Sequence, residues 1–186
     1  MPAQDRRRRD LNPFPPQGSL IPGVLMSFNV LVLCTGNSAR SVLGEMLFNH
    51  LGQGRIKAFS AGSKPGGVVN PVALETLQKH GIPCDGARSK SWDEFAAPAA
   101  PQIDFIFTVC GNAAAEPCPI WPGHPTTAHW GIPDPAHVEP IEARREAFEE
   151  AYQSLHKRIT GFLALPLETL NREEILAAAR RIHTGE

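Results

Sequence analysis

Several things are scarce in this chain, and each scarcity removes a class of protein. Lysine plus arginine nearly balance aspartate plus glutamate, leaving a net charge of -1, so composition points to neither a nucleic acid nor an acidic membrane as partner. No run approaches the roughly 18 apolar residues of a membrane helix. The four cysteines, Cys34, Cys84, Cys110 and Cys118, are too few and too unevenly spaced for a disulfide-stapled secreted scaffold, which argues for a reducing compartment. Near the N-terminus "RRRR" is followed by "LNPFPPQGSLIPGVL", whose four prolines break any apolar core of a signal peptide. A cytoplasmic location is expected. No G-x-x-x-x-G-K-[ST] or G-x-G-x-x-G pattern is present, so the nucleotide-binding loops read by those motifs are missing.

What remains is room for one domain with a proper core in 186 residues. Residues 1–26 are rich in arginine and proline without periodicity and are expected to form a disordered tail ahead of a domain over 27–186. "FNVLVL" (Phe28 to Leu33) and "IDFIFTVC" (Ile103 to Cys110) have the continuous apolar character of strands buried on both faces, and "RIKAFSAG" reads as a half-buried strand ending at Gly62. A further short strand is expected near His129 and Trp130. Between these lie helical patterns: Ser41 to Leu51 with apolar ridges, a helix opened by Asn70 and Pro71 and closed near His80 and Gly81, a short one in "SWDEFA", a long one from about Glu139 to Leu163, and a last one opened by Asn171 and Glu174 at capping-box spacing. Alternation of strands and helices predicts an α/β, doubly wound fold on a parallel sheet.

The chemistry concentrates in "CTGNSARS", Cys34 to Ser41, where a buried strand hands over to a helix. In parallel α/β sheets ligands collect at the carboxyl ends of the strands. Backbone amides of Thr35, Gly36, Asn37, Ser38, Ala39, Arg40 and Ser41 can converge on a tetrahedral oxyanion, the helix N-terminus adds positive potential, and Arg40 adds a bidentate fork. The same donors favour a thiolate, so the Cys34 thiol is expected below its ordinary pKa, with the Ser41 hydroxyl donating to the sulfur. Cys34 reads as a nucleophile.

Cys110 ends a strand on the same sheet edge, and Cys118 follows eight residues later. A continuous helix over that gap would separate the two by about 12 Å, whereas a disulfide needs α-carbons within about 7 Å. "NAAAE" favours a helical turn while Gly111, Pro117 and Pro119 keep it short, so the segment is expected to change conformation on oxidation. A zinc set of Cys110, Cys118, His124 and His129 and a simply packed Cys110 are alternatives at this point, although the cysteine pair is wider than usual for zinc. Cys84, in a loop beside Asp85, matches no motif.

The loop resembles the phosphate-binding loop of the low-molecular-weight protein tyrosine phosphatases and of the arsenate reductases built on the same fold. The resemblance runs from about Phe28 to Leu165, through "SAGS", "GIPCDGARSKSWDEF", "FIFTVCGNAAAEPCPIWPGH" and "HWGIPDP", in the order and spacing of the arsenate reductase branch. It implies a four-stranded parallel sheet of order 2-1-3-4 and a thiol-dependent reduction of arsenate, with phosphate or sulfate as competing oxyanions. Cys34 would attack arsenic and Asp134 of "PDP" would be the general acid, its prolines expected to limit solvent. Cys110 and then Cys118 would carry a disulfide outward to an external thiol reductant, thioredoxin or a glutaredoxin-type protein, with no bound cofactor and no metal. A monomer is expected.

Departures from the family pattern are informative. Ala136 follows Asp134-Pro135 where phosphatases commonly carry a tyrosine, and the only tyrosine of the chain, Tyr152, falls in a helix, which disfavours an aromatic phosphoester. Ala39 replaces a second loop cysteine of some relatives, and the Cys110 to Cys118 gap is one residue longer. Some thioredoxin-coupled members hold potassium with Asn, Ser, Glu and Asp; here Asn37, Ser60 and Glu45 match three places and Lys90 stands at the fourth, so an ammonium is expected instead of the ion. The alternative readings are a low-molecular-weight phosphatase, which would need only Cys34, Arg40 and Asp134, and an oxyanion-binding or redox-sensing module without turnover.

Overall fold

The computed structural model describes residues 26–116 and 121–185. The expected tail therefore lies outside the described residues except for Met26, and so does Cys118. In chain order the elements are β1 (Phe28–Cys34), α1 (Arg40–Gly52), β2 (Ile56–Gly62), α2 (Pro71–Lys79), α3 (Asp93–Ala96), β3 (Phe105–Thr108), α4 (Gly111–Ala115), β4 (Thr126–His129), α5 (Ile141–Leu163) and α6 (Arg172–Thr184). The four strands form one parallel sheet in the order β2-β1-β3-β4, as the family resemblance implied.

From Val30 to Cys34 neither face of the central strand β1 meets water. Val30, Val32 and Cys34 point into the larger core, with Val42 and Leu43 of α1 and Phe148 and Leu155 of α5. Leu31 and Leu33 point into a smaller core with Phe95 of α3, Ile106 and Trp121. The period-two alternation thus serves two apolar layers, which is what its unbroken hydrophobic run requires. β1 ends level with β2, Cys34 opposite Gly62, and Leu33 lies opposite Thr108 of β3.

Several boundaries differ from the sequence expectation. β3 stops at Thr108, short of the expected Cys110, because Cys110 becomes the N-cap of α4, its sulfur accepting from the Ala113 amide at 3.3 Å. α1 is buried almost all round, from Ser41 to Phe48, where the ridges suggested an amphipathic helix; the sheet, α2 and α5 enclose it. It runs to Gly52, one residue beyond the expected Leu51, and is capped by Gln53 in the left-handed region at φ 46°. The Asn70 cap and the Asn171/Glu174 capping box form as expected.

A cluster of aromatic rings locks the helices to β3 and β4. Phe107 lies 4.1 Å from Trp130 and 5.0 Å from Phe162, and Phe48 of α1 lies 5.5 Å from Phe107, centroid to centroid; such contacts add about 0.5–1.5 kcal/mol per pair beyond area burial. The fully buried Trp130 gives its indole N–H to Ala179 of α6 at 2.9 Å, and Arg158 of α5 donates to the Trp130 carbonyl at 3.0 Å and the Gly131 carbonyl at 3.3 Å. The segment leaving β4 toward Asp134 is therefore anchored at its root. Among the described residues no helix is long and apolar enough to cross a membrane.

Helices α2 and α5 are joined by a polar clamp in which Glu149 accepts from Lys79 at 2.9 Å, His80 at 2.8 Å and Gln153 at 2.9 Å, with the His80 ring stacked 3.9 Å from Tyr152. Burial alone would raise this carboxyl, but the three donors hold it down at about 2, against an ordinary 4.5. A depressed acid stabilises the fold above its unfolded pKa and loses that contribution as pH falls through the folded one. Wild type is accordingly expected to melt above Glu149→Gln at pH 7, with the gap in thermal midpoint closing between about pH 4.5 and 2; a gap independent of pH would contradict this clamp.

Candidate active site

The loop from Thr35 to Ala39 is turned inside out by the segment behind it. The carbonyls of Thr35, Gly36 and Ser38 accept the backbone N–H groups of Lys64, Gly66 and Asn70 at 3.0, 3.0 and 2.8 Å. With its carbonyls tied outward the loop presents its amides inward. The Asn37 amide points at the Cys34 sulfur, 3.2 Å away, and Asn37 takes a positive φ of 44° to do so. α1 begins on Ala39 with no side-chain cap, leaving its first-turn amides available to an anion. Cys34, Thr35, Gly36, Ser38, Ala39 and Arg40 line a cavity of about 300 Å³ whose rim includes Asn112, Asp134, Ala136 and His137.

Gly62 makes this possible, and sequence reasoning noted it only as a strand end. A Cβ there would lie 2.4 Å from the Thr35 carbonyl oxygen and 3.0 Å from Asn37 Cβ. The signal was the glycine of "SAGS" at the end of a strand, where close backbone approach is the usual reason for glycine.

Cys34 is 4 % exposed. Its sulfur lies 2.8 Å from the Ser41 hydroxyl, and Asn37 Nδ2 donates to that same hydroxyl oxygen at 2.9 Å; with its oxygen accepting from Asn37, the Ser41 proton is free to go to sulfur. The expected low pKa is nonetheless not met in this state. Burial pushes the Cys34 thiol up, and the hydrogen bonds from Ser41 and Asn37 only partly offset it. A sequence displays the donors but not the depth.

Arg40 is also placed differently from the expectation. Its Nη1 donates to the Ile132 carbonyl at 3.0 Å and its Nη2 pairs with Asp134 at 3.2 Å, so the fork closes the cavity on the acid-loop side while other N–H groups stay uncommitted. Asp134 is brought to the site but not sheltered: its side chain is 43 % exposed, and its carboxylate accepts the Ala136 amide at 3.1 Å. The flanking prolines stiffen the turn without covering it.

Cys110, two residues beyond β3 at the N-cap of α4, is 4 % exposed, and its sulfur lies 3.6 Å from the Thr35 hydroxyl. The two cysteines are thus linked through Thr35. Cys84 stands apart in this network, donating to the Ile82 carbonyl at 3.5 Å. His129, one of the residues considered for zinc, has Nδ1 2.8 Å from the Thr108 hydroxyl and faces the His183 ring; among the described residues no three His, Cys, Asp or Glu side chains gather as a metal site.

Behind the cradle runs a buried polar relay. Asn37 Nδ2 also donates to Ser60 at 2.9 Å, Ser60 donates to Glu45, and the Lys90 ammonium reaches Glu45 at 3.3 Å, the Arg88 carbonyl at 3.2 Å and Ser60 at 3.5 Å. Lys90 and Glu45 are 4 % and 9 % exposed. An ammonium that already stands among these oxygens leaves no place for the potassium ion of some relatives, so that ion does not fit here.

Comparison with known proteins agrees with this geometry. The family model described as low molecular weight phosphotyrosine protein phosphatase matches residues 29–176. The arsenate reductase of Shouchella clausii (strain KSM-K16) is 34 % identical over 134 residues, 72 % of this chain and 93 % of that protein. Among solved structures, the arsenate reductase of Archaeoglobus fulgidus DSM 4304 aligns with TM-score 0.54 and 28 % identity, over 70 % of this chain and 98 % of that one. The tyrosine phosphatase Wzb from Escherichia coli K30, in complex with sulphate, aligns with TM-score 0.60 and 26 % identity, over 74 % and 97 %.

Since Gly62 admits the loop, Gly62→Ala is expected to fold with a loss of about 1–3 kcal/mol from overpacking and to bind sulfate roughly a hundredfold more weakly, as misplaced positioning groups do. Calorimetric titration measures it; an unchanged affinity would show that the close approach is dispensable.

Proposed function

Because the chain belongs to the low molecular weight phosphotyrosine protein phosphatase family, and because its Cys110 is held beside the Cys34 cradle where ester hydrolysis has no use for it, we propose that the protein reduces arsenate to arsenite by a relay of thiols. The likeness to arsenate reductases supports the substrate. Juxtaposition of Cys34 and Cys110 at the carboxyl ends of neighbouring strands supports the relay.

Arsenate enters the ring of loop amides with its arsenic over the Cys34 sulfur. A neutral thiol with a dianion carries the same charge as a thiolate with a monoanion, so passing the Cys34 proton to the arriving oxyanion adds no net charge to the site. The Ser41 hydroxyl and the Asn37 amide then stabilise the thiolate. Sulfur attacks arsenic(V), an oxygen departs, and Asp134 at the rim of the cavity supplies the proton that lets it leave as water. Arg40 holds the charged oxygens.

The Cys110 thiolate next attacks the Cys34 sulfur. A Cys34–Cys110 disulfide forms, the sulfur–arsenic bond breaks, and its electron pair stays on arsenic, which leaves as arsenite; two thiols are oxidised and arsenic gains two electrons. Cys118 then attacks Cys110, frees Cys34 and leaves a Cys110–Cys118 disulfide for an external dithiol protein of the thioredoxin or glutaredoxin type. For that last exchange the five-residue α4, capped by the Cys110 sulfur itself, must open. Losing its cap on oxidation favours the opening.

The test is a single turnover with arsenate and no external thiol. Wild type is expected to release one arsenite per chain, Cys34→Ser and Cys110→Ser none, and Cys118→Ser one, with a trapped Cys34–Cys110 disulfide found by peptide mapping. Hydrolysis of a phosphate ester at a rate untouched by loss of Cys110 and Cys118, with no arsenite formed, would make the protein a phosphatase instead.

A further inference from the structure

Lys90 is a buried lysine with no place in the thiol chemistry, and its surroundings are built for a cation. Its three ammonium protons meet three acceptors: Glu45, Ser60 and the Arg88 carbonyl. Its own backbone is fixed as well. The Lys90 carbonyl accepts Gly62 N–H at 2.9 Å, and the neighbouring Ser91 bridges to the end of β2. The Lys90 amide donates to Asn37 Oδ1 at 2.8 Å. That bond settles which way the Asn37 amide points, because with Oδ1 taken by Lys90 its Nδ2 must face the two serines.

From there every donor in the chain has one orientation. Lys90 and Ser60 donate to Glu45, Asn37 donates to Ser60 and Ser41, and Ser41 is left to donate to Cys34. The arrangement requires Glu45 to accept both bonds at Oε2, and while burial pushes its carboxyl up, the Ser60 hydroxyl and the Lys90 ammonium pull it back toward the charged form. A buried carboxylate without a counter-charge either takes a proton or moves toward water. Of the other groups near Glu45, Arg88 is engaged with Glu94 at 2.6 Å on the surface, and His50 and Asp85 share a cavity wall with Glu45; none replaces an ammonium in contact.

We propose that Lys90 is a built-in monovalent cation that orients the Glu45–Ser60–Asn37–Ser41 relay and so sets the reactivity of the Cys34 thiolate, making this protein independent of dissolved potassium. Lys90 is a positioning residue, acting on sulfur through four others, and the inference rests on Cys34 being the nucleophile of the proposed reaction.

The experiment compares wild type with Lys90→Ala in choline chloride, potassium chloride and ammonium chloride, reading the alkylation rate of Cys34 by peptide mass spectrometry and the thermal midpoint, neither of which needs arsenate. Wild type is expected to give one rate and one midpoint in all three salts. Lys90→Ala is expected to alkylate about tenfold more slowly in choline, the usual size of effect for removing an orienting partner, and to recover rate and midpoint when potassium or ammonium enters the vacated space. A wild-type response to potassium, or a wild-type alkylation rate for Lys90→Ala in choline, would overturn the proposal. Should Lys90→Ala fail to fold, the pair Lys90→Met with Glu45→Gln removes both buried charges together; slow alkylation that no cation restores supports the proposal, and fast alkylation overturns it. Failure of wild type to form arsenite while alkylation behaves as described would count against the reductase reading and leave the role of Lys90 standing.

Discussion

Everything at this site depends on a short loop having its carbonyls pulled outward. Three backbone bonds from Lys64, Gly66 and Asn70 do this, and they can form only because Gly62 lets β2 and the loop approach to a distance no Cβ would permit. An ordinary turn would spend its amides internally and leave oxygens facing the cavity, which repel an anion. Here the sheet edge supplies the wall, the segment after β2 supplies the outward pull, and the uncapped start of α1 completes the ring of donors.

The second consequence concerns protons. Burial pushes the Cys34 thiol up in the empty site, and a guanidinium engaged by Asp134 and Ile132 closes the cavity on one side. In the proposed reaction an oxyanion would alter both conditions at once, taking the proton and offering Arg40 a competing partner. Reactivity would then be conditional on the substrate, and a nucleophilic thiolate would not stand exposed to oxidants between turnovers. The relay from Lys90 to Ser41 supplies the fixed half of this arrangement: it needs no ligand to form, and it ends in a hydroxyl proton directed at sulfur.

Local features were legible in the sequence, and features made by distant segments were not. The Asn70 cap, the Asn171/Glu174 capping box and the strand-to-helix switch at Cys34 all depend on residues within one or two turns of each other, and the unbroken apolar run of β1 announces its burial on both faces. The strand order came from the family resemblance, since hydrophobic runs fix which segments are strands and leave their neighbours open. Pairing of Arg40 with Asp134 is not legible because the two are far apart in the chain and each residue type by itself points to the oxyanion. The direction of the Cys34 shift is illegible for a related reason: donors are visible as residue types, whereas desolvation comes from packing contributed by α1 and β3. Likewise the prolines around Asp134 announced a stiff turn and said nothing of its exposure, and Trp130, the anchor of that turn, read only as part of a strand.

The most direct measurement of the central claim is a sulfate titration of isotope-labelled protein followed by the backbone amide resonances of residues 35 to 41. Inward-facing amides are expected to shift together, largest for Gly36 to Arg40, and to saturate at one sulfate per chain, with the Lys64, Gly66 and Asn70 amides staying protected throughout. Loop amides that do not respond while resonances elsewhere do would mean that the cradle is not where the anion binds, and the account built on Cys34 would fail with it.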